Sequence, residues 1–88
     1  MRRTFEIKNR LGLHARAAAQ LVGLTASFKS DVTIEKDGQS VNGKSIMGLM
    51  MLGAGLGSTI EVEAQGEDAA QALDAIAALI DARFNESQ

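Results

Sequence analysis

The chain has 88 residues, 45% hydrophobic and 23% charged. That suits one small folded domain spanning 1–88 and is too short for barrel or dinucleotide-binding enzymes, which need roughly 150 to 250 residues. The net charge is −2, the aromatic set is three Phe with no Trp or Tyr, and there is one His and no Cys. Nucleic acid is therefore not an expected partner, disulfides and Cys-ligated zinc are excluded, and a protein-built zinc site is not expected.

Phe5 and Ile7 alternate with Thr4, Glu6 and Lys8, the period of a half-buried strand. A connection from Asn9 to His14 contains Gly12, and from Ala15 the spacing changes. Ala18, Leu21, Val22 and Thr25 recur at three and four residues, which predicts an amphipathic helix over 15–27, broken at Ser30-Asp31. Val32 and Ile34 alternate again, Asp37-Gly38 is a two-residue hairpin turn, and Val41 lies on the returning strand. Ser45 is placed to cap a short helix from 46 to about 52, ended by Gly53, Gly55 and Gly57. Ile60, Val62 and Ala64 alternate with Thr59, Glu61, Glu63 and Gln65, so one sheet face is expected in water. Gly66-Glu67-Asp68 opens a last helix whose apolar stripe runs from Ala69 through Ile76 and Ile80 to Phe84, with acidic residues suited to its first turn. The order is βαββαβα. An alternating sheet with one polar face needs cover on the other, and the three helices supply it, so the expected fold is a two-layer α+β sandwich. The opening residues carry charge with no apolar run behind them, and no uncharged stretch approaches the roughly 20 residues that span a bilayer. A cytoplasmic protein without direct membrane contact is expected.

The sole histidine, His14, precedes the first long helix, where unpaired backbone N–H groups and about half a positive charge favour anions. The same field disfavours imidazolium and so favours the neutral ring, which can attack a phosphoryl group. Arg16, in the first turn, can add a charge-assisted contact to the product. Taken alone, His14 reads as readily as a cap or an exposed side chain, and Arg16 as a solvated charge. Gly38 to Ser45 spells G-x-x-x-x-G-K-[ST], the phosphate loop of nucleotide hydrolases, yet Gly38 belongs to a hairpin turn and the helix after Ser45 has only about two turns. Gly53 to Gly57 leads into a strand and reads as a flexible turn. Ile46, Met47, Leu49, Met50, Met51 and Leu52 are more apolar residues than two helical turns bury on one face. Either some stay exposed as an adaptable Met-rich docking surface, or all pack inward. Ser45 is by default an N-cap, and a phosphate there would add close to two negative charges beside that surface.

Gly12-Leu13-His14-Ala15-Arg16-Ala17-Ala18, then Asn42-Gly43-Lys44-Ser45-Ile46-Met47-Gly48-Leu49, then Gly57, Thr59 and Ile60, resemble the HPr family of histidine-containing phosphocarriers over about residues 3–83. The resemblance implies an open-faced sandwich, a four-stranded antiparallel sheet of order 1-4-2-3 with three helices on one face. It implies that His14 accepts a phosphoryl group on Nδ1 from phosphorylated enzyme I and passes it to EIIA domains. It gives Arg16 the role of phosphate partner and makes Ser45 the target of an ATP-dependent HPr kinase. Docking is expected through Ala15, Ala17, Gln20, Ile46, Met47, Met50 and Met51. The implied protein is a monomeric carrier of the sugar phosphotransferase system, not an enzyme, and it needs no metal or bound cofactor. Ala17 stands where most members have proline, Gly23 and Ala26 stand where enteric members often have lysine, and Gly48 replaces a basic or larger residue of some members. These departures bear on the partner more than on the chemistry. A nitrogen-branch regulatory carrier, a small acyl-phosphate hydrolase and a pure interaction module remain as alternatives.

Overall fold

A computed structural model of the protein describes residues 1–86. Strands β1 (Arg2–Glu6), β2 (Asp31–Lys36), β3 (Gln39–Asn42) and β4 (Thr59–Gln65) form one antiparallel sheet in the order β1-β4-β2-β3. Helices α1 (Ala15–Thr25), α2 (Ile46–Met51) and α3 (Ala69–Asp81) alternate with them as the periodicity predicts. β4 has a neighbour on each side: Phe5 of β1 lies opposite Ile60, and Ile34 of β2 opposite Val62. That central position explains why β4 alternates most cleanly. Ile60, Val62 and Ala64 face the core, while Glu61 and Glu63 lie on the open face with Arg2, whose guanidinium reaches them at 2.5 and 3.2 Å. Such exposed pairs mark the solvated side and contribute little to stability. One core joins the sheet to all three helices, with Leu21 of α1, Leu49 of α2 and Ile76 of α3 all fully buried.

At the β2–β3 turn Asp37 (φ +52°) and Gly38 (φ +83°) are both left-handed, the conformation a two-residue hairpin turn requires. Gly43 lies against β2, where an added Cβ would sit 2.5 Å from Val32 Cγ1. Lys44 Nζ donates to the carbonyl of Phe28 at 3.0 Å. Residues 38–45 are thus hairpin and connection, and Gly43 and Lys44 are engaged with the chain itself.

The structure corrects several expectations. α1 ends at Thr25, not at 27: the N–H groups of Ser27 and Phe28 bond back only three residues, to Leu24 and Thr25, and the buried Thr25 hydroxyl donates to the carbonyl of Gly43 at 2.8 Å, tying the helix end to the segment after β3. Asp68 stands at the start of α3 but makes no side-chain cap to it. Its carboxylate instead accepts from the backbone N–H groups of Lys29 and Ser30 and from the Ser30 hydroxyl, clamping the α1–β2 connection. These bonds, the one from the Ser30 hydroxyl foremost, hold the Asp68 carboxyl below the usual carboxylate range. Phe84 is fully buried as expected, yet it does not extend the α3 stripe. The helix stops at Asp81, and Arg83, Phe84 and Asn85 form one short 3₁₀ turn with φ of +55°, +54° and +61°. A non-glycine residue in that region costs about 1–2 kcal/mol. Three in succession persist only because neighbouring interactions over-determine them, the burial of the Phe84 ring first among these.

Candidate functional site

The segment between β1 and α1 is held by the loop after α2. Ile7 N–H donates to Ser58 O, Gly57 N–H to Ile7 O, and Leu13 N–H to Ala54 O, each at 2.8 Å. Gly12 is left-handed at φ +66°, and a Cβ there would lie 2.4 Å from Ala54 O, so only glycine lets the two loops approach this closely. This clamp sets His14 at the N-cap of α1 in extended conformation (φ −74°, ψ 177°). Its carbonyl accepts from Ala18 N–H, whereas its ring makes no hydrogen bond to the first turn. The ring is 28% exposed and opens on a cleft of about 630 Å³ lined by Arg10, Leu11, Arg16, Gln20, Asn85 and Glu86.

The other ring contact comes from the far end of the chain. His14 Nε2 lies 2.5 Å from Oε2 of Glu86, 72 residues later in sequence. The second carboxylate oxygen accepts from Asn9 Nδ2 at 3.1 Å, and the same nitrogen donates to Gly12 O at 2.8 Å. Asn9 is fully buried, and its Oδ1 has no hydrogen-bond partner among the described residues. The bond to His14, then that from Asn9 and the positive charge of Arg16, hold the Glu86 carboxyl below the usual carboxylate range against the opposing effect of burial. Sequence reasoning missed both Glu86 and Asn9. Neither carries a local signal: the left-handed turn that aims Glu86 backwards has no periodic signature, and Asn9 looks like an ordinary loop residue.

Arg16 is exposed on the cleft wall and forms no ion pair among the described residues. Its guanidinium is therefore open to an incoming anion beside the imidazole. Ser45 is the N-cap of α2, and its Oγ accepts from Gly48 N–H at 3.0 Å. Within α2 and its end, Leu49 and Leu52 are buried while Ile46, Met47, Met50 and Met51 are exposed, Met47 by 73%. The six apolar residues thus do not all pack inward. Ala15 is exposed and Gln20 is half-buried, its Oε1 accepting from Asn85 Nδ2. Ala17 is a correction: it is 0% exposed, packed into the core from the inner face of α1, and offers no surface to a partner. Its burial also fits a helix start that keeps its N–H groups without the ring of a proline. Among the described residues no helix is long and apolar enough to cross a membrane.

The family model described as "PTS HPr component phosphorylation site" matches residues 1–82. The phosphocarrier protein HPr of Cupriavidus necator is 49% identical over 88 residues, covering all of this chain and 99% of that one. The phosphocarrier protein NPr of Shewanella violacea is 45% identical, covering 99% and 96%. In three dimensions the crystal structure of HPr from Thermoanaerobacter tengcongensis superposes with a TM-score of 0.96 at 43% identity, over the whole of this chain and 99% of the other. A crystal structure of an HPr dimer from the same organism matches with a TM-score of 0.79 at 45% identity, covering 93% and 94%. A histidine at the mouth of α1, a sheet ordered 1-4-2-3 and full-length similarity at this level lead to one conclusion: the chain belongs to the HPr family of the phosphotransferase system and is a phosphocarrier protein, not an enzyme.

Proposed function

We propose that His14 takes a phosphoryl group on Nδ1 from phosphorylated enzyme I and delivers it to an EIIA domain, with Arg16 neutralising the group while it is held. The observation that supports this reading is the ring of His14 at the start of α1, uncommitted to capping and opening on a cleft shared with Arg16. There the bound phosphate would meet the N–H groups of the first turn and a guanidinium. Docking runs through Ala15 and Gln20 on α1 and through Ile46, Met47, Met50 and Met51 on α2, whose flexible thioethers suit a donor and an acceptor of different shape. Phosphorylation of Ser45 would set a dianion at the edge of that surface and regulate docking. The chain acts as a monomer, keeping this surface free for its successive partners. The test is incubation with enzyme I and phosphoenolpyruvate. One acid-labile, alkali-stable phosphate per chain is expected, and none in His14→Ala; label retained by that variant would remove His14 from the assignment.

A second reading, a nitrogen-branch carrier serving a regulatory EIIA, draws support from the 45% identity to an NPr. Gly23, exposed on α1, also lacks the positive charge that would steer an acidic partner. Competition between sugar-type and nitrogen-type EIIA domains for the labelled chain separates the two.

A further inference from the structure

We infer that Glu86 is a positioning residue for this carrier. It fixes the proton of His14 on Nε2, which leaves Nδ1 as the lone pair that accepts the phosphoryl group, and it balances the charge the ring gains while loaded. The inference rests on the reading of His14 as phosphoryl acceptor and adds a residue from the opposite end of the chain.

A neutral imidazole has one N–H and one bare nitrogen, and an ionised carboxylate only accepts hydrogen bonds. Glu86 is held in its ionised form by its surroundings. With its Oε2 at 2.5 Å, Nε2 must be the donor and Nδ1 the bare nitrogen. The backbone does not compete for Nδ1, since the ring makes no capping bond. The carboxylate is itself held in place. Asn9 Nδ2 bridges Oε1 and the carbonyl of Gly12, and the Asn9 oxygen is left buried and unpaired among the described residues, so the amide is oriented by what its nitrogen bonds. Phe84, fully buried, anchors three successive left-handed residues that turn the chain back onto the cleft. The remaining charged side chains lining the cleft are Arg10 and Arg16, both cationic. Glu86 is thus the only anion on the cleft wall among the described residues.

In the transfer, the Nδ1 lone pair forms a bond to phosphorus while the bond between phosphorus and the donor breaks and its electron pair returns to the donor. The Nε2 proton stays where it is, so the loaded ring is a phosphorylated imidazolium facing the Glu86 carboxylate. Onward delivery reverses this: the His14 N–P bond breaks, its pair returns to Nδ1, and the ring is again neutral with its proton on Nε2. No further reactant is needed. By opposing the ring's positive charge, Glu86 keeps the loaded ring protonated, and hence a good leaving group, to higher pH.

The test uses the full chain, Glu86→Gln, which removes the charge and keeps the shape, and Glu86→Asp as the conservative variant. Three readouts apply: imidazole ¹⁵N spectra of the free chain, the initial rate of labelling by enzyme I and phosphoenolpyruvate, and the pH profile of dephosphorylation. Expected for Glu86→Gln are loss of the single Nε2–H tautomer, labelling slower by about tenfold, and a dephosphorylation profile moved by about one unit to lower pH. Glu86→Asp should recover part of each. A ¹⁵N spectrum and pH profile equal to those of the unmodified chain would overturn the role of Glu86 while label on His14 remained. Failure to label the unmodified chain would instead sink the reading of His14, so the two failures are distinct. A merely structural Glu86 would lower thermal stability in Glu86→Gln without moving the tautomer or the profile, and that result also counts against the inference.

Discussion

The first and second helices each begin on a polar residue in extended conformation and use it differently. Ser45 turns its hydroxyl back onto α2 and satisfies the Gly48 N–H. His14 makes no such bond: its ring turns to Glu86 instead, and the first N–H groups of α1 are left for a ligand. A side chain that closes its own helix stabilises the fold, whereas one that leaves the helix open at the same position is available for chemistry. Loss of Ser45 should therefore be read in stability, and loss of His14 in function.

The sharpest break in that comparison is His14→Ala. All label from enzyme I and phosphoenolpyruvate should disappear, while the unfolding free energy in urea changes by about 1 kcal/mol or less. A large loss of stability would mean that the ring is structural after all. Phe84→Ala comes next, because it removes the anchor of the tail that faces His14. Emptying so well packed a site should cost about 3–5 kcal/mol in urea unfolding. An unchanged midpoint would show that the left-handed turn is held by something other than the buried ring. Ser45→Ala should cost about 1 kcal/mol, the usual worth of an N-cap, with labelling of His14 intact. If it slowed labelling instead, the division between capping and chemical residues would fail.

The smallest effect is on pH dependence. The carboxyls of Asp68 and Glu86 are both held below their ordinary range, Asp68 chiefly by the Ser30 hydroxyl and Glu86 chiefly by His14. A carboxyl depressed in the folded state contributes its full stability above the unfolded value of about 4 and loses it as pH falls through the lower folded value. Melting temperature should thus decline below about pH 4, and the decline should be shallower in Asp68→Asn. Parallel curves for that variant and the unmodified chain would show that the Asp68 clamp carries no proton linkage.

Much of this was legible before any coordinates. β4 declares itself because a central strand with one wet face must alternate, and Asp37-Gly38 does so because its turn demands two left-handed residues. The end of α3 was not legible. Phe84 falls in helical register with Ile80 and Ile76, so periodicity runs straight through a stop that arises from a left-handed turn. Asp68 misled for a related reason: an acidic residue before a helix suits that helix, yet the neighbouring chain offered three donors that suited it better. Ala17 was expected at the docking surface on the resemblance, and only the packing of α1 against the rest of the core shows that it points inward beside Ala18.

By itself the sequence determined which segments are strand or helix and that one histidine stands before the first helix. Those properties depend on side-chain period and on residues within a turn of one another. Only the tertiary structure decided that Glu86 meets that histidine, that Asn9 steadies the meeting and that four of the six residues of α2 stay uncovered. Such outcomes depend on where helices stop and how they pack, and bring together groups too distant in the chain for any local pattern to link them.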